Sequence, residues 1–493
     1  MARIACLIVP DLPVATVCRA DPDRAGKPLV LTDAPGPHAR VVAASAQARA
    51  LGVRAGRHTA AQARAFAHDL IVCRRDSAAE ASTRRALVDV AASLTGRIEL
   101  APDGAVFLDA EGATHLAGNE SSLATALVAR AARIGLDARA AVASSMIVAR
   151  LAARYGHGTE VVPHGAERGF LAPLPLTHLD PPATVLATLA RWGLRTLGDL
   201  ARLPADEVAT WLGPDGAALI HAARGHDDRP LAPQSFDDTV EEAMGLDHPI
   251  DNVEPLLFAL HGLMLRVVDR IGLAGTGCSQ VSLLLGLDDR SRDARTIPLV
   301  APTRDAKTLL GCLRVELEAR PPRAAIVRIV VVAVPARVRP TQLGLFAPAG
   351  PAPERLATTL ARLGVLCGTG RVGVPVAIDS HRPGDASVAP FTLATTTNAT
   401  PGEPTACRLV IRALRPPRPL EVFTDRDAPS FVRGVGLGGR VVDVAGPWRV
   451  ATDWWGDVSC LRDYYDLELT DGGIYRCFRD RRSGAWFVDG AYD

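Results

Sequence analysis

Short, wholly apolar runs alternate with helix-spaced segments through the first third of the chain. Ala5–Val9, Val106–Leu108 and Ala140–Val142 have the length and continuity of buried strands. Ser82–Leu94 and Ser121–Ile134 repeat apolar residues at helical spacing on alanine-rich faces and predict helices. That alternation predicts a mixed α/β sheet domain over residues 1–165. Residues 166–232 read as helices punctuated by Pro and Gly. A second α/β unit is expected over 240–340: a helix from Val253 to Ile271, a strand over Ser279–Gly286, a helix over Ala306–Ala319 and a very apolar strand over Ala325–Val334. Residues 347–405, rich in Pro, Ala, Thr and Gly, read largely as linker. Near the C-terminus the pattern alternates in Asp466–Leu469 and Ile474–Phe478, and Asp471-Gly472-Gly473 between them predicts a β-hairpin in a small β-rich domain over 406–493. The fold class expected is α/β (α+β) and multidomain.

Composition narrows the picture. A chain of 493 residues exceeds what one core supports. It has no run of eighteen apolar residues, so no membrane span is expected, and Met1–Pro10 reads as a buried strand and not a signal peptide. Nine cysteines without a C-x-x-C pair point to a reduced, cytoplasmic protein without structural zinc. The histidines show no metal spacing, and neither a metal nor a cofactor is expected. Two G-x-G-x-x-G matches, Gly434–Gly439 and Gly368–Gly373, run into strand-like Arg440-Val441-Val442 and Val374-Pro375-Val376, so both are expected to be turns and not nucleotide loops. The terminal aromatics, among them Trp448, Trp454, Trp455, Trp486, Tyr464 and Tyr465, are assigned to a core or a partner surface ahead of base stacking.

Several segments, in order, carry a family likeness. Arg3-Ile4-Ala5-Cys6-Leu7-Ile8-Val9 running on to Arg19 and Pro22, then Val42 to Arg54, then Arg97-Ile98-Glu99 through Phe107-Leu108-Asp109, resemble the opening palm strand, the fingers (about 36–75) and the acid-bearing palm hairpin of the Y-family (DinB/UmuC-type) translesion polymerases. Ala140–Ala153, Trp192–Leu200 and Arg224–Asp228 resemble the palm helix and thumb of that family, with the thumb over 166–235 and the little finger over 240–340. The resemblance covers about residues 1–346.

What is missing decides the expected function. Nucleotidyl transfer clamps paired divalent ions between carboxylates. The family's first aspartate falls on Ile8 and its Asp-Glu pair on Gly104-Ala105, so three carboxylates are replaced by none. Asp11, Asp103 and Asp109 are the nearest acids. Asp11, between Pro10 and Pro13, is expected in a turn, and Asp103 on the opposite face of the strand. The fingers tyrosine position holds Ala46 and the palm lysine position Met146, while Arg49 and Arg150 are either retained phosphate contacts or surface arginines. The pattern resembles one branch of the family that keeps the polymerase shape, lacks the acids and carries an extra C-terminal region. That likeness implies a mutasome with an error-prone replicative-type DNA polymerase and a RecA-like accessory protein, in induced mutagenesis. The alternative is a catalytically active Y-family polymerase with displaced ligands.

Two binding functions complete the expectation. Gln342, Leu343, Leu345 and Phe346 in Thr341–Phe346 resemble the Q-L-x-L-F peptide that docks on the β sliding clamp, and the flanking Pro340 and Pro348 keep it extended. From Pro255 to Pro340 thirteen basic residues face seven acids, a surplus that predicts DNA binding without sequence specificity. Arg290, Arg292, Arg295, Arg337 and Arg339, with Arg49 and Arg150, are the expected phosphate contacts.

Overall fold

The computed structural model describes residues 3–338 apart from 157 and 228, 353–368, scattered positions between 371 and 389, 410–452 apart from 427, and 459–492. The chain divides into two compact units, Met1–Cys367 and Gly368–Asp493, each taken by itself.

The strands of residues 3–165 are β1 (Ile4–Ile8), β2 (Leu29–Thr32), β3 (Val41–Ala44), β4 (Ile71–Arg74), β5 (Ile98–Leu100), β6 (Val106–Asp109), β7 (Arg139–Ala143) and β8 (Thr159–Val161). The apolar runs β1, β6 and β7 form the middle of a five-stranded sheet ordered β5-β6-β1-β7-β8. Because successive side chains take opposite faces, β1 feeds two cores. Ala5, Leu7 and Val9 pack on one face with the helices Ser77–Ala92 and Glu120–Arg133. Ile4, Cys6 and Ile8 pack on the other with the helix Met146–Tyr155 and the helical segment that follows. A separate three-stranded sheet, β3-β2-β4, builds the lobe expected as fingers.

The second α/β unit is a four-stranded antiparallel sheet of β9 (Val240–Ile250), β10 (Thr276–Leu287), β11 (Arg292–Thr303) and β12 (Ile326–Arg337), ordered β11-β10-β12-β9. The helices Val253–Leu273 and Ala306–Ala319 cover one face, where Val281, Leu283, Leu285 and Leu287 meet Leu256, Leu260 and Leu309. Both helices and the strands β10 and β12 match the sequence pattern. The strands β9 and β11 do not, because Glu241-Glu242 and the Arg/Asp-rich start of β11 break the apolar alternation.

This sheet docks on the first through charge. Glu242 on β9 sits between Arg19 and Arg270 at 2.8 and 3.0 Å, and Arg266 reaches it at 3.2 Å. Arg270 also donates to Asp89 at 2.7 Å. Side-chain exposure is 3% for Arg19, 2% for Glu242 and 0% for Arg270. Two backbone donors complete the seam: Ala243 N–H to Ser82 Oγ at 2.9 Å and Gly245 N–H to Asp76 Oδ2 at 2.7 Å.

In the second unit a short pair, β13 (Val374–Val376) with β14 (Ser387–Ala389), precedes a closed barrel of β15 (Ile411–Asp425), β16 (Ala428–Gly434), β17 (Leu437–Thr452), β18 (Cys460–Leu469), β19 (Ile474–Asp480) and β20 (Trp486–Tyr492). The expected hairpin is β18–β19, with Glu468 opposite Ile474. Gly434–Gly439 spans the β16–β17 turn, where Gly436 takes φ 75°, so its glycines serve chain reversal. Among the described residues no helix is long and apolar enough to cross a membrane.

Candidate functional site: an apolar sheet centre and an arginine-edged second sheet

In the central sheet Leu7 pairs with Val106 and Cys6 with Phe107, so the antiparallel register carries Ile8 toward Ala105. Ile8 and Ala105, two of the positions aligned to acids in the sequence, therefore lie side by side. Ile8 is 8% exposed, Ala105 is 2% exposed, and both belong to one apolar cluster with Cys6, Phe107 and Met146. Burial pushes the Cys6 thiol well above its ordinary range; Arg150 pulls it down and Asp103 pushes it up, but burial dominates. That face is dry and favours neutral groups.

Residues 101–105 form the turn between β5 and β6, closed by Ala101 N–H to Ala105 O, and Gly104 takes φ 87°. An aspartate at 104 would be held in a conformation that residues with a Cβ rarely adopt. Asp103 lies in this turn and not in a strand as the sequence suggested, because the strand starts only at Val106. Its Oδ1 accepts the Ala105 N–H, and its Oδ2 lies 3.4 Å from Arg150. Asp11 lies in the turn between β1 and the helix Leu12–Ala20, as expected, at φ 52°, and pairs with Arg49 at 2.6 Å. Asp109 caps the helix Ala110–Ala117 by accepting from Glu111 and Gly112. Ala46 is exposed without a hydroxyl, and Met146 is buried as a thioether.

Paired magnesium ions, which the fold family implies, do not fit this donor set. Ile8, Gly104 and Ala105 offer no side-chain oxygen, and the nearest carboxylates are engaged with arginines. Among the described residues no group of three or more His, Cys, Asp or Glu is placed to hold a metal ion.

The expected phosphate contacts separate into distinct environments. Arg290 sits at φ 68° in the β10–β11 turn and is exposed, as is Arg292. Gly286 pairs with Arg292 on one side and Arg328 on the other, so the two arginines share the sheet face away from the helices, with a glycine floor between them. None of Arg290, Arg292 and Arg328 has a side-chain partner among the described residues. Arg328 was counted in the charge surplus but not singled out; its signal was a lone arginine inside the apolar run Ile326–Val334. Arg337 is exposed but pairs with Thr276, at the other end of β10, about 33 Å away at 3.3 Å per residue. Arg295 corrects the expectation. It is buried, its guanidinium held by Asp293 at 2.6 Å and the Glu316 carbonyl at 3.0 Å, so it anchors the sheet to a helix and cannot reach phosphate. Arg339 and the peptide Gln342, Leu343, Leu345 and Phe346 lie outside the described residues.

The central sheet, whose hairpin carries no carboxylate at 104 or 105, the helical segment and the arginine-edged second sheet make up a multidomain α/β protein, and a separate unit holds a β-barrel. The model of the impB/mucB/samB family matches residues 12–154. The chain is 27% identical over 460 residues to Protein ImuB of Caulobacter vibrioides, covering 88% of this chain and 98% of that one. It is 29% identical over 309 residues to DNA polymerase IV of Halorhodospira halophila, covering 61% and 86%. A solved structure of DinB from Sulfolobus solfataricus superposes at TM-score 0.40 and 18% identity, over 68% of this chain and 100% of that one. The chain is a Y-family polymerase homologue of the ImuB class.

Proposed function

We propose that the chain is a non-catalytic, polymerase-like scaffold of translesion synthesis. It binds DNA and the β sliding clamp and recruits an error-prone replicative-type polymerase and a RecA-like accessory protein. The observation that carries the loss of catalysis is the packing of Ile8 and Ala105 into an apolar cluster beside a turn whose glycine has positive φ. Two dications brought there would find no anionic oxygen free to hold them.

The DNA contact rests on Arg290, Arg292 and Arg328, which have no side-chain partner among the described residues, with Arg337 and Arg339 as further candidates. Arg49 and Arg150 are already paired with acids and join only where a phosphate displaces a carboxylate. The clamp contact rests on the Gln342–Phe346 sequence alone.

The rival reading, an active polymerase, has the DNA polymerase IV relatives in its favour. Primer–template extension with magnesium or manganese separates the two. The scaffold gives no template-dependent incorporation. Incorporation that is abolished by Asp103→Ala overturns it.

A further inference from the structure

Ile8 and Ala105 share one apolar cluster on one face of the central sheet. Position 104 does not join them. A Cβ added to the buried Gly104 would lie 3.6 Å from Cγ and Nε of Arg84 and 3.7 Å from its Cδ, and these are its three nearest neighbours. Arg84 belongs to the helix Ser77–Ala92, whose Ala86, Leu87 and Val90 pack with Ala5 and Leu7 on the opposite face of the sheet. A side chain at 104 therefore meets an arginine from the far side of the sheet, and not the pair formed by residues 8 and 105.

That arginine has charge to spare. Glu80, 2% exposed, is shared by Arg75 at 2.7 Å and Arg84 at 3.3 Å, and among the described residues neither arginine meets another acid. Two guanidinium groups on one carboxylate leave one positive charge over. Arg75 takes both carboxylate oxygens, through Nε and Nη2 at 2.7 and 2.9 Å, so Arg84 is the looser partner. Its Nε is buried and has no acceptor among the described residues. A buried donor left without an acceptor weakens the folded state, and this donor is one of the two atoms nearest to a side chain at 104.

We propose that Arg84 is the counter-charge of position 104. A carboxylate restored there pairs with Arg84, so restoring carboxylates at 8, 104 and 105 does not restore a site for divalent cations. The inference rests on the alignment of these three positions with the family's acids, and adds a residue that the alignment does not contain. A dication needs anionic oxygens that converge on one point. With residue 104 drawn toward Arg84, the carboxylates at 8 and 105 would be left without the third.

The test is a double-mutant cycle on the full chain, read by amide hydrogen exchange of peptides spanning the 101–105 turn. Added sucrose stabilises the folded state of every variant. Gly104→Asp and Gly104→Asn carry the same backbone strain, because both residues tolerate positive φ, and differ by one charge. With Arg84 present, the Asp variant exchanges about tenfold more slowly than the Asn variant, equivalent to about 1.4 kcal/mol. In the Arg84→Met background that advantage disappears. An Asp–Asn difference that is the same in both backgrounds overturns the proposal, and so does an Asp variant that fails to fold where the Asn variant folds. Manganese is the probe for the metal: Ile8→Asp, Gly104→Asp and Ala105→Glu together leave the electron paramagnetic resonance signal of free manganese undiminished. Uptake of manganese by that variant overturns the proposal; if the variant does not fold, the cycle alone decides. Failure of the scaffold reading is seen separately, as primer extension by the unmutated chain, which the cycle does not measure.

Discussion

Glu242→Ala tests how the second sheet is held to the first. The carboxylate is buried between Arg19 and Arg270, themselves 3% and 0% exposed. Removing it leaves two buried cations that cannot be rehydrated in place, a change that costs about 3–5 kcal/mol. Remaining partners set the value at the low end: Arg19 keeps the Ile134 carbonyl, and Arg270 keeps Asp89 and the Glu241 carbonyl. About 3 kcal/mol is slightly more than two decades in an opening equilibrium. Amide hydrogen exchange read by mass spectrometry is the assay, because local opening exposes amides in proportion to its population. Exchange of β9 and of the helix Ser77–Ala92 should rise together by about a hundredfold. The combined change Arg19→Met, Glu242→Leu and Arg270→Met, which removes the charges as a set, should restore most protection. Exchange within a few-fold of the unmutated chain in Glu242→Ala would refute the idea that this cluster holds the sheets together.

Acidification probes the same seam without mutation. Burial alone would raise the Glu242 carboxyl, but Arg19, Arg270 and Arg266 together hold it below the ordinary value of 4.5. A group with a depressed folded value contributes stability that is complete above the unfolded value and lost as pH falls through the folded one. Protection of β9 should therefore hold down to about pH 4.5 and decline below it. Asp89 acts in the opposite direction: burial raises its carboxyl despite Arg270, so its protonation softens the decline.

Arg290→Ala, Arg292→Ala and Arg328→Ala together should weaken DNA binding alike for all sequences and reduce the salt slope by about 2.7, measured by anisotropy titration at several salt concentrations. Arg295→Ala should instead lower the stability of its sheet by about 1–3 kcal/mol, read by chemical denaturation, because it strips the Glu316 carbonyl and Asp293 of a buried donor. Changing Gln342, Leu345 and Phe346 to alanine should abolish retention on immobilised sliding clamp and leave DNA affinity unchanged; retention at the original level would remove the tether from the proposed function.

The central strands were legible because β1, β6 and β7 are unbroken apolar runs, and a strand buried on both faces leaves that signature. The helices Val253–Leu273 and Ala306–Ala319 were legible by their spacing. β9 and β11 were hidden because each places charged residues inward: Glu242 into an ion cluster and Arg295 against Asp293 and a helix carbonyl. Such residues read as surface until their partners are known, and Arg19 lies 223 residues from Glu242. Charge counting singled out this sheet but could not tell Arg295 from Arg292, three positions apart and in opposite environments. That residues 8, 104 and 105 carry no carboxylate was visible in the sequence; the positive φ of Gly104 was not.

These features fit together through charge balance. A palm built for phosphoryl transfer keeps its carboxylates and its arginines unsatisfied until metal and triphosphate arrive, and each set is neutralised by what it binds. In this chain the account closes without either. Arg49 meets Asp11, Arg150 meets Asp103, and the positions between are apolar. Half-exposed pairs of this kind are worth only about 0.2–1 kcal/mol, so they do not hold the fold together; their consequence is that each guanidinium already faces a carboxylate. Arg290, Arg292 and Arg328, without a side-chain partner among the described residues, form a separate cluster on the open face of the second sheet. In the proposed scaffold role a backbone phosphate that meets this cluster displaces no carboxylate, whereas one that meets Arg49 or Arg150 must, so the open sheet is the stronger of the two contacts.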